Sequence, residues 1–367
     1  MAIRMRAAVL HQARTPLKIE TVELDGPKRG EVQVRISATG ICYSDFHNIL
    51  GHRPPDFPAI LGHEGAGMVE AVGEDVRRLK VGDRVILSFR PNCGGCSYCV
   101  TGIPVLCNGH PGSRKLMSDG TARVRLDGTP VFVASRLGTF AEHVVCPEDQ
   151  AIPIECDIPS EVAALVACSV TTGVCAVTNA AQVPSGSTVA VIGCGGVGLN
   201  IVQGARLVGA SQVIAIDILD NKLEYAREFG ATHVVNSRQA DAVREVRALT
   251  RGGVDFAFEA VGVSEAIEQA LECVRPGGKA VVVGLAPDGA LARINAYKLA
   301  SEQKTLMGTA YGNARPRVDI PRMVAHYTSK QLDLDRLISR RYRFDEINEA
   351  FAALERGEVK RGVIVFQ

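Results

Sequence analysis

Residues 193–198 read Gly-Cys-Gly-Gly-Val-Gly, and their flanks restrict the fold more than any other feature of this 367-residue chain. An apolar run, Val189-Ala190-Val191-Ile192, leads in, and an apolar helix from Leu199 to Val208 leads out. In such a strand–turn–helix unit one glycine allows the tight turn. A second lets the backbone approach a pyrophosphate, and a third lets helix and strand pack closely. Gly193, Gly195 and Gly198 stand at those places, with Gly196 and Val197 between them. The helix N-terminus then stabilises phosphate charge. Asp217 ends the next apolar strand, about 20 residues on. A carboxylate there accepts hydrogen bonds from a ribose 2′-OH and repels a 2′-phosphate. Ile218 and Leu219 follow without an arginine, so the cofactor read here is NAD rather than NADP. With 37 glycines in the chain, a bare glycine turn is the competing reading. Strand, helix and acid together favour the dinucleotide.

From Ser187 onward short apolar strands alternate with helices. The strands are expected at Thr188–Gly193, Gln212–Asp217, His233–Asn236, Val254–Ala260, Lys279–Gly284 and Thr305–Tyr311, with a helix at Asn221–Phe229. Continuous apolar strands of this kind mark a parallel sheet covered on both faces, so the fold class is α/β and doubly wound. The first 90 residues read differently. Arg6–Leu10, Glu31–Ala38, Gly65–Val72 and Asp83–Ser88 are short strands separated by turn residues, which makes an antiparallel β region. Pro91 to Pro130 is rich in Gly, Cys and polar residues and reads as an irregular lobe. After the βαβ units come helices at Pro321–Ser329 and Phe344–Arg356 and a last strand, Gly362–Phe366, expected to return to the first domain.

Lys+Arg is 41 and Asp+Glu 40, a balance that offers no basic field for nucleic acid and no reason to expect an anionic membrane surface as partner. The start, MAIRMRAAVLHQARTP, has no apolar stretch of signal-peptide length. Val162–Val177 is the most apolar long segment. It is interrupted by Ser169, Thr171, Thr172 and Gly173 and falls short of the ~20 residues that span a bilayer, so it reads as a buried helix. The expected location is the cytoplasm.

Four of the 11 cysteines, Cys93, Cys96, Cys99 and Cys107, share one short window. An odd total without a secretion signal argues against a disulfide framework. Four thiolates from one loop close a tetrahedral shell around Zn2+ and leave no position for substrate, so the site reads as structural zinc. It would staple a lobe too polar to hold itself together. An iron–sulfur cluster is the alternative, and four reduced cysteines without metal the bland one.

The Gly62-His63-Glu64 signature, the four-cysteine lobe and Gly-Cys-Gly-Gly-Val-Gly occur in the order and at the approximate spacing of one family. From Arg6 to Phe366 the chain resembles the zinc-dependent medium-chain alcohol dehydrogenases. The resemblance implies a GroES-like β-rich catalytic domain at 1–169, with the structural-zinc lobe at about 91–110. It implies a Rossmann NAD-binding domain at 170–310, and a segment 311–367 that completes the first domain. Spacing alone makes nothing of Cys42, His63 and Cys168; the resemblance makes them the catalytic zinc ligands, for two Zn2+ per chain. Asp45 would fix the His63 imidazole, and Glu64 would assist ligand exchange. Ser44 and His47 match the proton relay. Thr172 and Val197 fall where the family contacts nicotinamide, and Asp217 and Lys222 match the ribose-contacting pair. Arg361 matches a phosphate-contacting arginine, while Phe89 and Phe140 match pocket-lining positions. The implied reaction is reversible hydride transfer between a primary alcohol, aliphatic or aromatic, and NAD, with the aldehyde as product. A homodimer or tetramer formed through the Rossmann sheet edge is also implied, and the long lobe favours the dimer.

Two departures stand out. Where many members carry a cation after the first zinc cysteine, this chain has Tyr43. The glutathione-dependent formaldehyde branch has an acid between the relay histidine and Gly-His-Glu, and an arginine beyond the lobe; here those regions hold Arg53 and Pro111. The principal expectation is therefore an alcohol dehydrogenase. A dehydrogenase of S-hydroxymethyl thiol adducts is the second reading. A noncatalytic zinc- and nucleotide-binding redox sensor is the third.

Overall fold

The computed structural model describes residues 2–110 and 116–366. The chain divides into two compact units. One comprises Met1–Cys168, Arg315–Lys330 and Leu334–Gln367; the other comprises Ser169–Ala314 and Gln331–Asp333. The division falls inside the long helical stretch Ser160–Ala181, between Cys168 and Ser169. That stretch is the one described helix long and apolar enough to cross a membrane, and it is mostly buried within the protein. It has two π-helical turns, at Val166–Val170 and Ala176–Ala181.

The first unit is built of β structure. A closed five-stranded barrel runs through Ile3–Leu10, Lys18–Leu24, Val124–Leu126, Thr129–Val133 and Ala59–Ile60. The hairpin at 124–133 corrects the irregular lobe expected to extend to Pro130. Its two-residue Asp127-Gly128 turn has φ of +48° and +78°, the left-handed pair that suits the twist of a tight hairpin. A second sheet centres on Glu31–Gly40. Gly65–Val72, His143–Pro147 and the chain's last strand, Arg361–Val365, all pair with it antiparallel. Val363 lies opposite Gly40, which brings a C-terminal arginine beside the segment that leads into Cys42. Ile338–Arg343 pairs parallel to that last strand. The apolar core of this unit includes Ile41, Phe46, Leu61, Phe140, Phe351 and Ile364.

The second unit holds six parallel strands in the order His233–Asn236, Gln212–Asp217, Thr188–Ile192, Val254–Glu259, Val274–Val282, Thr305–Gly308. The central strands are buried on both faces, as their unbroken apolar runs require. Thr188–Ile192 has Gln212–Asp217 on one side and Val254–Glu259 on the other, so the strand order reverses there. Ligand crevices in open α/β sheets form at that reversal, beyond the carboxyl ends of the strands. The glycine loop begins there.

Candidate metal centres and nucleotide loop

In the lobe, the sulfur atoms of Cys93, Cys96, Cys99 and Cys107 lie within 4.8 Å of one another. Local backbone does the gathering. Cys96 caps the short helix Ser97–Val100, and the 3-10 turn Pro104–Leu106 ends on Cys107. The N–H groups of Cys93 and Cys96 point at Cys107 Sγ and Cys93 Sγ, each at 3.4 Å. Gly94 and Gly102 supply left-handed turns. A Cβ on Gly109 would sit 2.2 Å from Cys93 Sγ, so only glycine lets the chain close past that thiol. Backbone N–H groups of Asn108 and Cys99 hold the Cys96 thiol down to about 6. Four convergent soft donors, backed by backbone N–H groups, fit a tetrahedral metal.

The second cluster is assembled from distant segments. Cys42 is the N-cap of the helix Tyr43–Ile49, His63 stands between the strands Ala59–Ile60 and Gly65–Val72, and Cys168 lies in the first π turn. Ligand atoms of Cys42, His63, Glu64 and Cys168 fall within 4.8 Å of one another. A π turn accommodates one extra residue and so re-aims its side chains, a device frequent at functional sites. Ser44 Oγ lies 3.2 Å from Cys42 Sγ and 3.3 Å from His63 Nε2. Asp45 is buried. One of its oxygens accepts from the Gly62 N–H at 3.1 Å; the other is 3.0 Å from His63 Nδ1. That contact orients the ring, with Nε2 toward the thiols. Burial opposes charge on His63, yet the Asp45 carboxylate raises its pKa well above the ordinary value. The Cys168 thiol beside Cys42 lowers the latter well below its ordinary value, with His63 adding to the effect. A lowered thiol, a second thiol and an oriented imidazole make a donor set suited to zinc.

Glu64 and Arg361 form a buried ion pair beneath this cluster. Burial raises the Glu64 carboxyl to about 8, against the pull of the Arg361 charge. Gly40 makes room for that carboxylate, because a Cβ there would lie 2.0 Å from Glu64 Oε2. Arg361 is 4% exposed and pairs with Glu64 through one guanidinium nitrogen, while its Nε has no hydrogen-bond partner among the described residues. The expected pocket-lining place of Phe140 is corrected. Phe140 is fully buried, edge-on to Phe351 in the apolar core, and packs the barrel rather than lining an open pocket. Phe89 is half-buried with its ring edge-on to His63 at 5.2 Å. Tyr43 is 49% exposed, between Phe46 and His47. His47 Nδ1 meets His52 Nδ1 at 2.9 Å, a partner that sequence reasoning missed. Pro111 lies outside the described residues.

In the second unit Gly193 has φ of +91°, and its Cβ would strike Val261 Cγ2 at 2.5 Å. A Cβ on Gly198 would lie 1.8 Å from the Gly193 carbonyl oxygen. At Gly195 a Cβ would meet nothing within 4 Å, so this glycine faces open space at the N-terminus of the helix Gly196–Leu207. Helices leave their first N–H groups unpaired, and this one begins Gly196, Val197, Gly198. The opening fits a pyrophosphate. Asp217 accepts from the Cys194 N–H at 2.7 Å and the Leu219 N–H at 3.0 Å, which ties the loop to the next strand and fixes the carboxylate. Lys222 is buried nearby. Burial lowers its pKa, while Asp217 works the other way. Thr172 is buried in Thr171–Cys175, next to the π turns.

Family models agree with this anatomy. The alcohol dehydrogenase GroES-like domain matches residues 28–156, and the zinc-binding dehydrogenase model matches 196–329. The S-(hydroxymethyl)glutathione dehydrogenase of Paracoccus denitrificans is 39% identical over 99% of this chain and 100% of its own length. The NDMA-dependent alcohol dehydrogenase of Amycolatopsis methanolica is 40% identical over 99% of each chain. Among solved structures, benzyl alcohol dehydrogenase from Acinetobacter calcoaceticus superposes with a TM-score of 0.94 at 33% identity, covering 100% of both chains.

Proposed function

The chain belongs to the zinc-dependent medium-chain alcohol dehydrogenases, and from that premise we propose that it interconverts primary alcohols and aldehydes with NAD, holding two zinc ions. The convergence of Cys42, His63 and Cys168 around one point, with the Ser44 hydroxyl against two of them, carries the reading. Those three residues would hold a catalytic zinc, and Cys93, Cys96, Cys99 and Cys107 a structural one. Zinc supplies Lewis acidity toward the alcohol oxygen when bound, and nicotinamide supplies a hydride acceptor.

The protein's own groups do the rest. Asp45 holds His63 by Nδ1 and so presents Nε2. Ser44 takes the alcohol proton and His47 delivers it outward. The glycine loop would bind pyrophosphate, Asp217 and Lys222 would hold the adenosine ribose, and Thr172 and Val197 would contact the nicotinamide. The Asp217 carboxylate selects NAD over NADP. Glu64 and Arg361 form a buried counter-charge beneath the ligands. Removing Glu64 would leave the buried Arg361 guanidinium without its partner, at about 3–5 kcal/mol. Thiolate ligands suit the reducing cytoplasm. The free edge of Thr305–Gly308 is the proposed dimer contact.

The relatives that act on S-hydroxymethyl glutathione favour a second reading, a thiol-adduct formaldehyde dehydrogenase. Exposed Arg53 stands where that branch has an acid, which places the alcohol reading first. One experiment tests both. Zinc per chain and NADH formation are measured on an alcohol and aldehyde panel, with and without glutathione, for wild type and Cys42→Ala. Two zincs falling to one, with turnover in wild type alone, supports the proposal. Formaldehyde oxidation that requires glutathione selects the second reading. One zinc in both proteins overturns the catalytic centre.

A further inference from the structure

The helix Tyr43–Ile49 stops at Leu50, and Gly51 takes φ of +77°, a left-handed conformation that glycine adopts freely. The chain therefore doubles back, and the His52 N–H donates to the His47 carbonyl at 3.0 Å. A second segment pins the turn: the Arg14 N–H donates to the Ile49 carbonyl at 2.6 Å, and Arg14 Nε to the Leu50 carbonyl at 3.3 Å. This backbone arrangement brings the two imidazoles together, tilted by 40° with centroids 5.2 Å apart and Nδ1 facing Nδ1 at 2.9 Å. His47 is half-buried, while His52 is exposed.

We propose that His52 is the outer member of a two-histidine proton pair, a positioning residue that sets the tautomer of His47 and passes its proton to water. The inference rests on the reading of His47 as the exit for the alcohol proton. Two Nδ1 atoms at that distance share a single hydrogen, so one ring donates and the other accepts. When His47 is the donor, its Nε2 lone pair is free. A proton arriving there makes an N–H bond at His47 Nε2. The His47 Nδ1–H bond then breaks as an N–H bond forms at His52 Nδ1. Finally the His52 Nε2–H bond breaks to water. One proton enters and one leaves, and the pair ends uncharged. Exchange with water at both rings resets the hydrogen bond.

The charged and titratable groups around the pair fit this role. Burial lowers the His47 pKa, and the charges of Arg53 and His52 lower it further, while Cys42 works weakly the other way. The Tyr43 ring stands 6.0 Å from the imidazole, with Glu355 near its hydroxyl, and Arg14 packs against the turn. His47 is therefore neutral near pH 7 and ready to accept.

The test follows proton release in a single turnover of alcohol oxidation with a pH indicator, at low buffer capacity, for wild type, His52→Ala, His52→Gln and His47→Gln. Histidine 15N NMR on the same proteins reports the His47 tautomer. His52→Ala is expected to slow proton release about 100-fold and to let the His47 tautomer change; free imidazole restores the rate. His52→Gln accepts the His47 hydrogen but carries no proton. It should keep the tautomer, release protons as slowly as His52→Ala, and regain the rate with imidazole. Wild-type release in both His52 variants beside a slowed His47→Gln overturns the role of His52, as does slowed release that imidazole leaves unchanged. Wild-type release in His47→Gln overturns the relay reading itself.

Discussion

The two thiol clusters solve one chemical problem by opposite routes. In the lobe, four cysteines between residues 93 and 107 are gathered by glycine turns, one short helix and N–H groups aimed at sulfur. The shell closes on itself and stays near the surface. In the other cluster, donors from a helix start, a strand junction and a π turn meet only because the sheet around Glu31–Gly40 and the helix Ser160–Ala181 bring them together. Its supports, Asp45, Glu64 and Arg361, are buried. The first centre would stabilise its own surroundings. The second depends on the whole first unit being folded, and in exchange its set of three ligands leaves one coordination position for chemistry.

That contrast is open to direct attack. The largest effect is expected from Cys42→Ala or Cys168→Ala. Loss of Lewis acidity should lower kcat/KM by about three orders of magnitude, with one metal lost and the melting temperature nearly unchanged. A parallel collapse in melting temperature would make the buried centre structural and erase the distinction. Cys107→Ser should do the reverse. The lobe metal is lost and the melting temperature falls by roughly 10 °C, while turnover of the folded fraction survives; calorimetry beside a zinc assay reads both. Asp45→Asn should weaken metal retention in the buried cluster by about 10–100-fold and leave the lobe's metal in place, as chelator competition would reveal. The smallest expected effect concerns Tyr43, which offers no charge to a pyrophosphate. Tyr43→Arg would add one charge-assisted contact, at most about 1.5–3 kcal/mol, and slow NADH release in stopped-flow fluorescence. An unchanged release rate would mean another group already supplies that charge.

Much of the fold was legible because periodicity is local. Gly65–Val72, Gln212–Asp217 and His233–Asn236 begin and end where the apolar pattern places them. Val274–Val282 starts five residues before the expected Lys279, across Pro276-Gly277-Gly278, where side-chain pattern carries no signal. The Asp127-Gly128 hairpin begins inside the Pro91–Pro130 stretch, whose polar composition reads as irregular. The lobe was legible for the reason that it is local. Cys42, His63 and Cys168 had no such signature; their meeting is a product of tertiary structure and entered through resemblance. The burial of Arg361 and Phe140 is illegible for the complementary reason. A partner 297 positions away, as Glu64 is from Arg361, and a ring sealed against Phe351 leave no mark in the linear pattern. His52 was missed although Gly51 announced the turn, because nothing in a sequence says that two rings will face.

The π turn Val166–Val170 has a consequence for how this lineage could change. Such a turn holds one residue more than a regular helical turn. Deleting a single codon within it would restore ordinary α-helix, and the flanking segments would keep the faces they bury. What would be lost is the aim of the one thiol the turn carries. A descendant could shed its metal in one genetic step and keep its core, so chains with this architecture and no metal are within easy reach of natural variation.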